Sequence, residues 1–337
     1  MKTDNKKVVV SGIRATGRLH LGNYLGAMKY FAELSKDNTK KCFFFIANLH
    51  TLTTKIDPDD IKRDLKEIAL DFIAAGIDPE KSVIFSQSSV PETCELSWLL
   101  GCLTSIADLE RMPHFKEKRG KKAALGEIIN TGILTYPILM AADILGPKAN
   151  LVPVGEDQHP HIELARNIAQ RFNTIYGNTF PIPDLLEHTA IRVPGLDGTG
   201  KMGKSDRNTI DLSDSESIVK NKIAKTVTDP SRKRRGDAGN PLVCTVYKLH
   251  TLISKDKELK QVMDGCKNAK IGCVDCKNIL SKNVTEILAP IQERRVELRA
   301  KGVDYVLDIL HNGGKTARKR ISPTVEEVKD KMGVPFY

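Results

Sequence analysis

No apolar run in this 337-residue chain approaches the roughly eighteen residues that a membrane-spanning helix needs, so no membrane partner is expected. The segment MKTDNKKVVVSG carries lysines but no apolar stretch behind them. A secretory signal is therefore not expected, and the cytoplasm is the expected compartment. The first glycine loop lacks the dinucleotide fingerprint G-x-G-x-x-G and is not a P-loop, which removes the two commonest phosphate-binding motifs. There is no internal repeat and no extended low-complexity tract. A second C-x-x-C knuckle, which a zinc ribbon would carry, is missing as well.

What is present is the composition of a soluble globular protein, with 40% hydrophobic and 28% charged residues. Length alone suggests about two domains, at roughly 150 residues each. The net charge of +10 is compatible with a polyanionic partner and equally with solvated lysine faces. Lys7 to Gly12 reads as a strand ending in a glycine turn. The apolar positions Leu21, Tyr24, Leu25, Met28 and Phe31 then give a helix. CFFFIA at Cys42 to Ala47 and the run Val83 to Ser86 read as strands buried on both faces, with a helix over residues 58–75 between them and another opened by Pro91. Residues 111–124 (RMPHFKEKRGKKAA) read as a basic exposed loop or insertion. A helix over 133–144, a strand over 151–154 and a helix over 157–172 follow.

This alternation predicts an α/β fold, a Rossmann-like doubly wound parallel sheet with ligands at the carboxyl ends of its strands. From about Ser213 onward the chain reads as mostly helical. The expected division is a catalytic domain over 1–212, with an insertion at about 91–145, and a helical domain over 213–337.

Two loops carry the candidate chemistry. Ser11 to Asn23 (SGIRATGRLHLGN) joins the first strand to its helix, where glycines let a nucleotide approach the backbone and unpaired N–H groups face a phosphate. Taken alone it is an ordinary strand-to-helix turn. Lys201-Met202-Gly203-Lys204-Ser205 sets two ammonium groups three residues apart on a glycine-flanked loop, able to neutralise a triphosphate or simply to be solvated.

Together, HLGN at His20 to Asn23 and KMGKS about 180 residues later resemble the HIGH and KMSKS signatures of class I aminoacyl-tRNA synthetases. The stretches YPILMAADIL (Tyr136 to Leu145), VPVGEDQ (Val152 to Gln158), SGIRATG and RMPHFKEK are similar to those of the tryptophanyl-tRNA synthetases. The resemblance covers nearly the whole chain. It implies activation of L-tryptophan by ATP with Mg2+ and transfer to tRNA(Trp) by a homodimer.

Residue by residue, the resemblance implies that Arg14, Ala15, Thr16, Gly22 and Asn23 contact ATP. It implies Gly155, Glu156 and Asp157 on the adenosine and ribose side and Val193 against the adenine. Lys201, Met202, Gly203, Lys204 and Ser205 would close on the triphosphate. His20, Asn23, Lys201, Lys204 and Ser205 would be catalytic. Asp143 is implied as acceptor of the indole N–H, with Tyr136, Met140 and Gln158 lining the amino-acid pocket. The residues agree with that assignment: a carboxylate between Ala142 and Ile144 on an apolar helix needs a partner. Lys116 and Lys118 either reach phosphates or stay at the surface. His50 either edges the pocket or packs as an ordinary histidine.

Three positions depart from common members of the family. Gly203 replaces a serine and is expected to loosen the loop. Arg14 stands where many bacterial members have glutamine, and His20 where they often have threonine. An added positive charge at Arg14 favours phosphate binding.

Seven cysteines are present. Four of them, Cys244-x21-Cys266-x6-Cys273-x2-Cys276, match the ligand count of a zinc site or an iron–sulfur cluster, and also suit reduced thiols packed between helices. The arrangement is similar to that of a subset of tryptophanyl-tRNA synthetases with a [4Fe–4S] cluster in the helical domain, the first cysteine being shifted by about one residue. The resemblance thus implies a [4Fe–4S] cluster on these four. Cys42, Cys94 and Cys102 read as core residues. SRKRR (Ser231 to Arg235) and RKR (Arg318 to Arg320) are candidates for tRNA backbone contacts.

Overall fold

The computed structural model describes residues 6–54, 57–124, 128–186, 191–204 and 206–334. The sheet consists of β1 (Lys7–Arg14), β2 (Lys40–Ala47), β3 (Ser82–Ser86), β4 (Leu151–Val152) and β5 (Asp184–Leu185), all parallel, in the order β3-β2-β1-β4-β5. That order reverses direction between β1 and β4, which opens the crevice at their carboxyl ends.

α1 (Leu21–Asn23) follows β1 and runs through a π turn at Tyr24–Met28 into α2 (Lys29–Leu34). Between β2 and β3 lie α3 (Asn48–Thr51) and α4 (Pro58–Ala74), the latter capped by the Asp57 carboxylate. Four helices separate β3 from β4: α5 (Glu92–Gly101), α6 (Ile106–Arg111), α7 (Pro113–Ala124) and α8 (Thr131–Leu145). α9 (His159–Tyr176) leads to β5. Then follow α10 (Glu216–Lys225), α11 (Thr245–Ile253), α12 (Asp256–Lys267), α13 (Cys273–Ala300) and α14 (Val303–Lys331). None of the described helices is long and apolar enough to cross a membrane.

The continuous apolar strands feed two cores, because successive side chains point to opposite faces. Val9, Phe44, Ile46 and Ile84 pack with α2, α4 and α13 on one face. Val8, Val10, Phe43, Phe45 and Phe85 pack with α8 and α9 on the other. Both cores draw on residues beyond position 212. Leu280, Val284, Leu288 and Ile291 of α13 fill the first.

α14 serves both cores. Val306 and Leu310 enter the first, and Ala317, Ile321, Val325 and Val328 enter the second. At the crossing the helix lies directly on the backbone of β3, and a Cβ at Gly313 would sit 1.9 Å from the Ile84 carbonyl oxygen. Only glycine fits there. α4 and α13 are tied by Arg295, which pairs with the buried Asp71 and with Glu67 at 2.6 Å, while Arg299 reaches Glu67 at 2.9 Å.

One segment departs from the sequence expectation. Residues 113–124 form α7 rather than an exposed loop. The run is largely polar, but Phe115 in its first turn and Met112 just before it are both buried and hold it against the second core. Two cysteines also differ. Cys42 is buried as expected, whereas Cys94 and Cys102 are exposed on and just beyond α5, in line with the exposed Trp98 at helical spacing.

Candidate active site

The carboxyl ends of β1 and β4 open into a cavity of about 340 Å³. Its floor is α8, where the Asn130 side chain caps the Ile133 N–H at 3.0 Å. Tyr136, Met140 and Asp143 fall on one face of the helix, four and three residues apart, and all three line the cavity. Asp143 is 7% exposed. The Gln87 amide donates to both of its oxygens, at 2.9 and 2.8 Å, and His50 Nε2 lies 2.9 Å from Oδ2. The Gln87 orientation is fixed in turn, since its carbonyl oxygen accepts the Leu49 N–H at 3.1 Å. Burial pushes the Asp143 carboxyl upward, and its bonds to His50 and Gln87 oppose that shift.

Across the cavity, the Tyr136 hydroxyl sits between His114 Nδ1 at 2.7 Å and His161 Nε2 at 2.8 Å. Burial raises Tyr136 to about 12 and lowers His161 to about 4; it lowers His114 as well. Two neutral rings thus flank a neutral hydroxyl, with the donor order set by their tautomers. Arg14, at the end of β1, donates to the His50 carbonyl oxygen at 3.1 Å and to Thr53 Oγ1 at 3.4 Å. Lys118 lies one turn beyond His114 on α7, its ammonium 5.7 Å from the Tyr136 ring centre. Asp157 and Gln158 close the wall, with Gln158 donating to Asp157 at 3.1 Å.

The two signature loops meet beside this cavity. The Leu21 N–H donates to the Ile210 carbonyl (2.8 Å) and the Leu212 N–H to the Leu19 carbonyl (3.0 Å), so the segment after KMGKS is stitched to the HLGN turn. Asn23 Oδ1 accepts the His20 N–H at 3.1 Å. Lys204 donates from Nζ to the Gly17 carbonyl at 2.8 Å, and Lys201 stands 3.8 Å from Asp157. Burial lowers Lys204 to about 8, while Asp64 and Asp211 hold it up. His20 falls to about 4, through burial first and then the ammonium groups of Lys204 and Lys201. The middle of the loop is anchored: Met202 is 4% exposed, and the Gly203 N–H donates to Asn208 Oδ1 at 2.8 Å. A Cβ on Gly203 would come within 2.8 Å of the Asp206 carboxylate, so glycine lets that side chain lie close.

A family profile described as tRNA synthetases class I (W and Y) matches residues 2–289. The tryptophan--tRNA ligase of Deinococcus radiodurans is 44% identical over 96% of this chain and 98% of its own length. The chain belongs to that family. A second relative, the tryptophan--tRNA ligase of Thermotoga maritima, is 43% identical over 97% of this chain and 99% of its own. Among solved structures, the Campylobacter jejuni tryptophanyl-tRNA synthetase complexed with ADP and tryptophan superposes with a TM-score of 0.85 at 34% identity, covering 97% of this chain and 99% of that one.

The residues expected from the class I synthetase resemblance fall into two groups. Arg14, Tyr136, Met140, Asp143, Asp157 and Gln158 share the cavity. His20, Gly22, Asn23, Lys201, Met202, Gly203 and Lys204 cluster at the loop junction, with Ala15, buried, and Thr16 on the chain between. Gly155 precedes the 3-10 turn of Glu156–Gln158, and Glu156 is exposed. The Val193 side chain is 2% exposed in the first core, its carbonyl accepting the Met202 N–H, so it offers backbone more than surface. Ser205 lies outside the described residues. Lys116 is exposed and does not line the cavity, whereas Lys118 does. Gln87, His114 and His161 were not expected. Their one sequence signal is scarcity: four of only eight histidines (20, 50, 114 and 161) gather at this site.

In the helical region, Cys244, Cys266, Cys273 and Cys276 line one small cavity of about 20 Å³ with Arg232, Val262 and Ile271. Arg232 Nη1 approaches Cys266 Sγ at 3.6 Å and His250 Nε2 approaches Cys276 Sγ at 3.5 Å. Burial raises Cys276 to about 12, and the other three thiols add to the rise. The four thiols share one cavity and match a four-thiolate group in number. Among the described residues, however, no three such ligands converge closely enough to hold an ion. Arg232 of SRKRR is turned inward, donating to the carbonyls of Arg235 and Ile271, so of that segment Lys233, Arg234 and Arg235 face out. In RKR, Arg318 pairs with Glu92 and Arg320 donates to the Pro147 carbonyl.

Proposed function

We propose that the chain activates L-tryptophan with ATP, forming tryptophanyl-adenylate and pyrophosphate, and then acylates tRNA(Trp). The observation that carries this reading is the Asp143 carboxylate, buried at the cavity floor and held by Gln87 and His50. Its three contacts, two from Gln87 and one from His50, leave acceptor capacity for one more donor, the role an indole N–H fills. Phenylalanine would leave that capacity unpaired, a mismatch that can reach roughly 10⁴ to 10⁵ in discrimination. Tyr136, Met140 and Gln158 complete the amino-acid pocket. Arg14, Thr16, Gly22, Asn23, Gly155 to Asp157 and the backbone at Val193 serve ATP, with Mg2+ arriving on the nucleotide.

The tryptophan carboxylate attacks the α-phosphorus in line with the departing pyrophosphate. Lys201 and Lys204 neutralise the leaving group, Ser205 joins them, and His20 and Asn23 stabilise the transition state as neutral donors rather than proton shuttles. The low pKa of His20 supports that neutrality. Pyrophosphate exchange should depend on tryptophan and not on tyrosine or phenylalanine. Exchange driven by tyrosine would reassign the pocket, since the family includes both specificities.

The region beyond residue 212 is proposed as the tRNA-recognising part, with Lys233, Arg234 and Lys319 as outward cations; salt-sensitive charging is expected. A cytoplasmic homodimer is the proposed state. The exposed Trp98 and Ile106 support a subunit contact, which light scattering would test. We further propose a [4Fe–4S] cluster on Cys244, Cys266, Cys273 and Cys276, supported by four thiols on one cavity beside Arg232. Thiolate ligation would reverse the upward shift at Cys276. Anaerobically purified protein should contain iron and sulfide in equal amounts; colourless protein lacking both overturns this assignment.

A further inference from the structure

Asp64 lies on α4, outside every signature motif, yet it is 3% exposed and points at the loop junction. Its Oδ2 accepts the Gly17 N–H, while Oδ1 faces Arg63 Nη2 at 3.0 Å. Gly17 has φ of +76°, the left-handed region that glycine adopts freely. On the other side of the same residue, the Gly17 carbonyl accepts Lys204 Nζ at 2.8 Å. Gly17 is thus clamped between a carboxylate on its N–H and an ammonium on its C=O, and a Cβ built there would lie 3.9 Å from Asp64 Oδ2 and 4.0 Å from Lys204 Nζ.

We propose that Asp64 is a positioning residue for adenylate formation, holding the first glycine loop by its backbone and keeping the Lys204 ammonium charged and in register with that loop for the triphosphate. The proposal rests on the synthetase reading for its kinetic consequence but not for its geometry. A buried ammonium loses charge by desolvation unless a carboxylate faces it. The groups around Lys204 are the carboxylates of Asp64 and Asp211, which support its charge, together with the backbone of Gly17. His20 is also within its field, but as a neutral ring it contributes no charge. Asp211 follows the loop in sequence, so Asp64 is the contribution from a separate element.

The test compares wild type with Asp64→Asn, which keeps an acceptor for the Gly17 N–H, and with Asp64→Glu, after thermal unfolding shows that each is folded. The first readout is the pH dependence of Lys204 acetylation by acetic anhydride, followed by peptide mass spectrometry, which needs no activity. In D64N its midpoint should move down by roughly one unit or more, the effect of removing one opposite charge nearby. The second readout is tryptophan-dependent pyrophosphate exchange. Its alkaline limb should shift the same way in D64N, with kcat/KM for ATP falling on the order of tenfold, KM for tryptophan unchanged, and D64E recovering part of the loss. An unmoved acetylation midpoint in D64N overturns the proposal, as does equal loss toward tryptophan and ATP. A moved midpoint with no exchange in any form, wild type included, would uphold the clamp and sink the proposed function.

Discussion

Replacing Asp143 by asparagine separates tryptophan recognition from folding. The change removes one charge without changing shape. An asparagine oxygen can still accept from Gln87 at the Oδ1 position and its amide can donate to His50 Nε2, so the cavity floor keeps both partners and loses only the second Gln87 contact. Burial disfavours the ionised carboxyl in the folded protein, as its raised pKa records. The sign follows: a raised folded pKa is a cost to stability that grows as pH rises through the folded value, and a neutral amide removes it. D143N should therefore unfold at the same temperature as wild type or above it.

Function should move the other way. A hydrogen bond to a charged acceptor contributes about 1.5 to 3 kcal/mol, and each 1.4 kcal/mol is about tenfold. The kcat/KM for tryptophan in pyrophosphate exchange should thus fall by roughly ten- to a hundredfold, with the loss for phenylalanine far smaller. The assay measures both amino acids and both proteins across a concentration series. An unchanged tryptophan-to-phenylalanine ratio, or a D143N protein that melts several degrees early, would refute the reasoning.

Three further outcomes follow from other contacts. His20 and His161 are buried and lowered to about 4, so the unfolded chain binds protons that the fold refuses. Stability should be intact above pH 6.5 and decline by about 3 kcal/mol per ring toward pH 4, as read from urea unfolding. H161Q should flatten part of that slope. Asp71→Ala leaves Arg295 with Glu67 as its remaining carboxylate partner in the interface of α4 and α13 and should destabilise by about 1 to 3 kcal/mol. An effect below about 1 kcal/mol would mean that water replaces the pair. Gly313→Ala should lower the melting temperature sharply although alanine favours helices, because its methyl group meets the Ile84 carbonyl. Unchanged melting would show that α14 can lift away.

The central strands were legible because residues buried on both faces leave unbroken apolar runs, as CFFFIA does. β5 was not, since two residues directly after the prolines of PIPDLL carry no pattern. α7 was read as a loop because only Met112 and Phe115 anchor it, and local polarity outweighed two tertiary contacts. Asp143 stood out as a carboxylate on an apolar helix, but its partners could not. Gln87 and His50 lie 56 and 93 residues away, and only the parallel crossovers bring them together. The clustering of Cys94, Trp98 and Cys102 on and just beyond the outer side of α5 was hidden for the opposite reason: apolar residues look alike in sequence whether they face a core or solvent.

The passage of α14 across Ile84 bears on how the chain avoids associating wrongly. β3 is the last strand on its side of the sheet, and an uncovered outer strand offers a row of N–H and C=O groups to any extended chain nearby. Gly313 lets the helix backbone lie against that row. The covering element comes from the last tenth of the sequence, so during synthesis the strand waits longest for its shield. Nascent or truncated chains lacking α14 should be prone to intermolecular strand pairing, while finished molecules present no such template there.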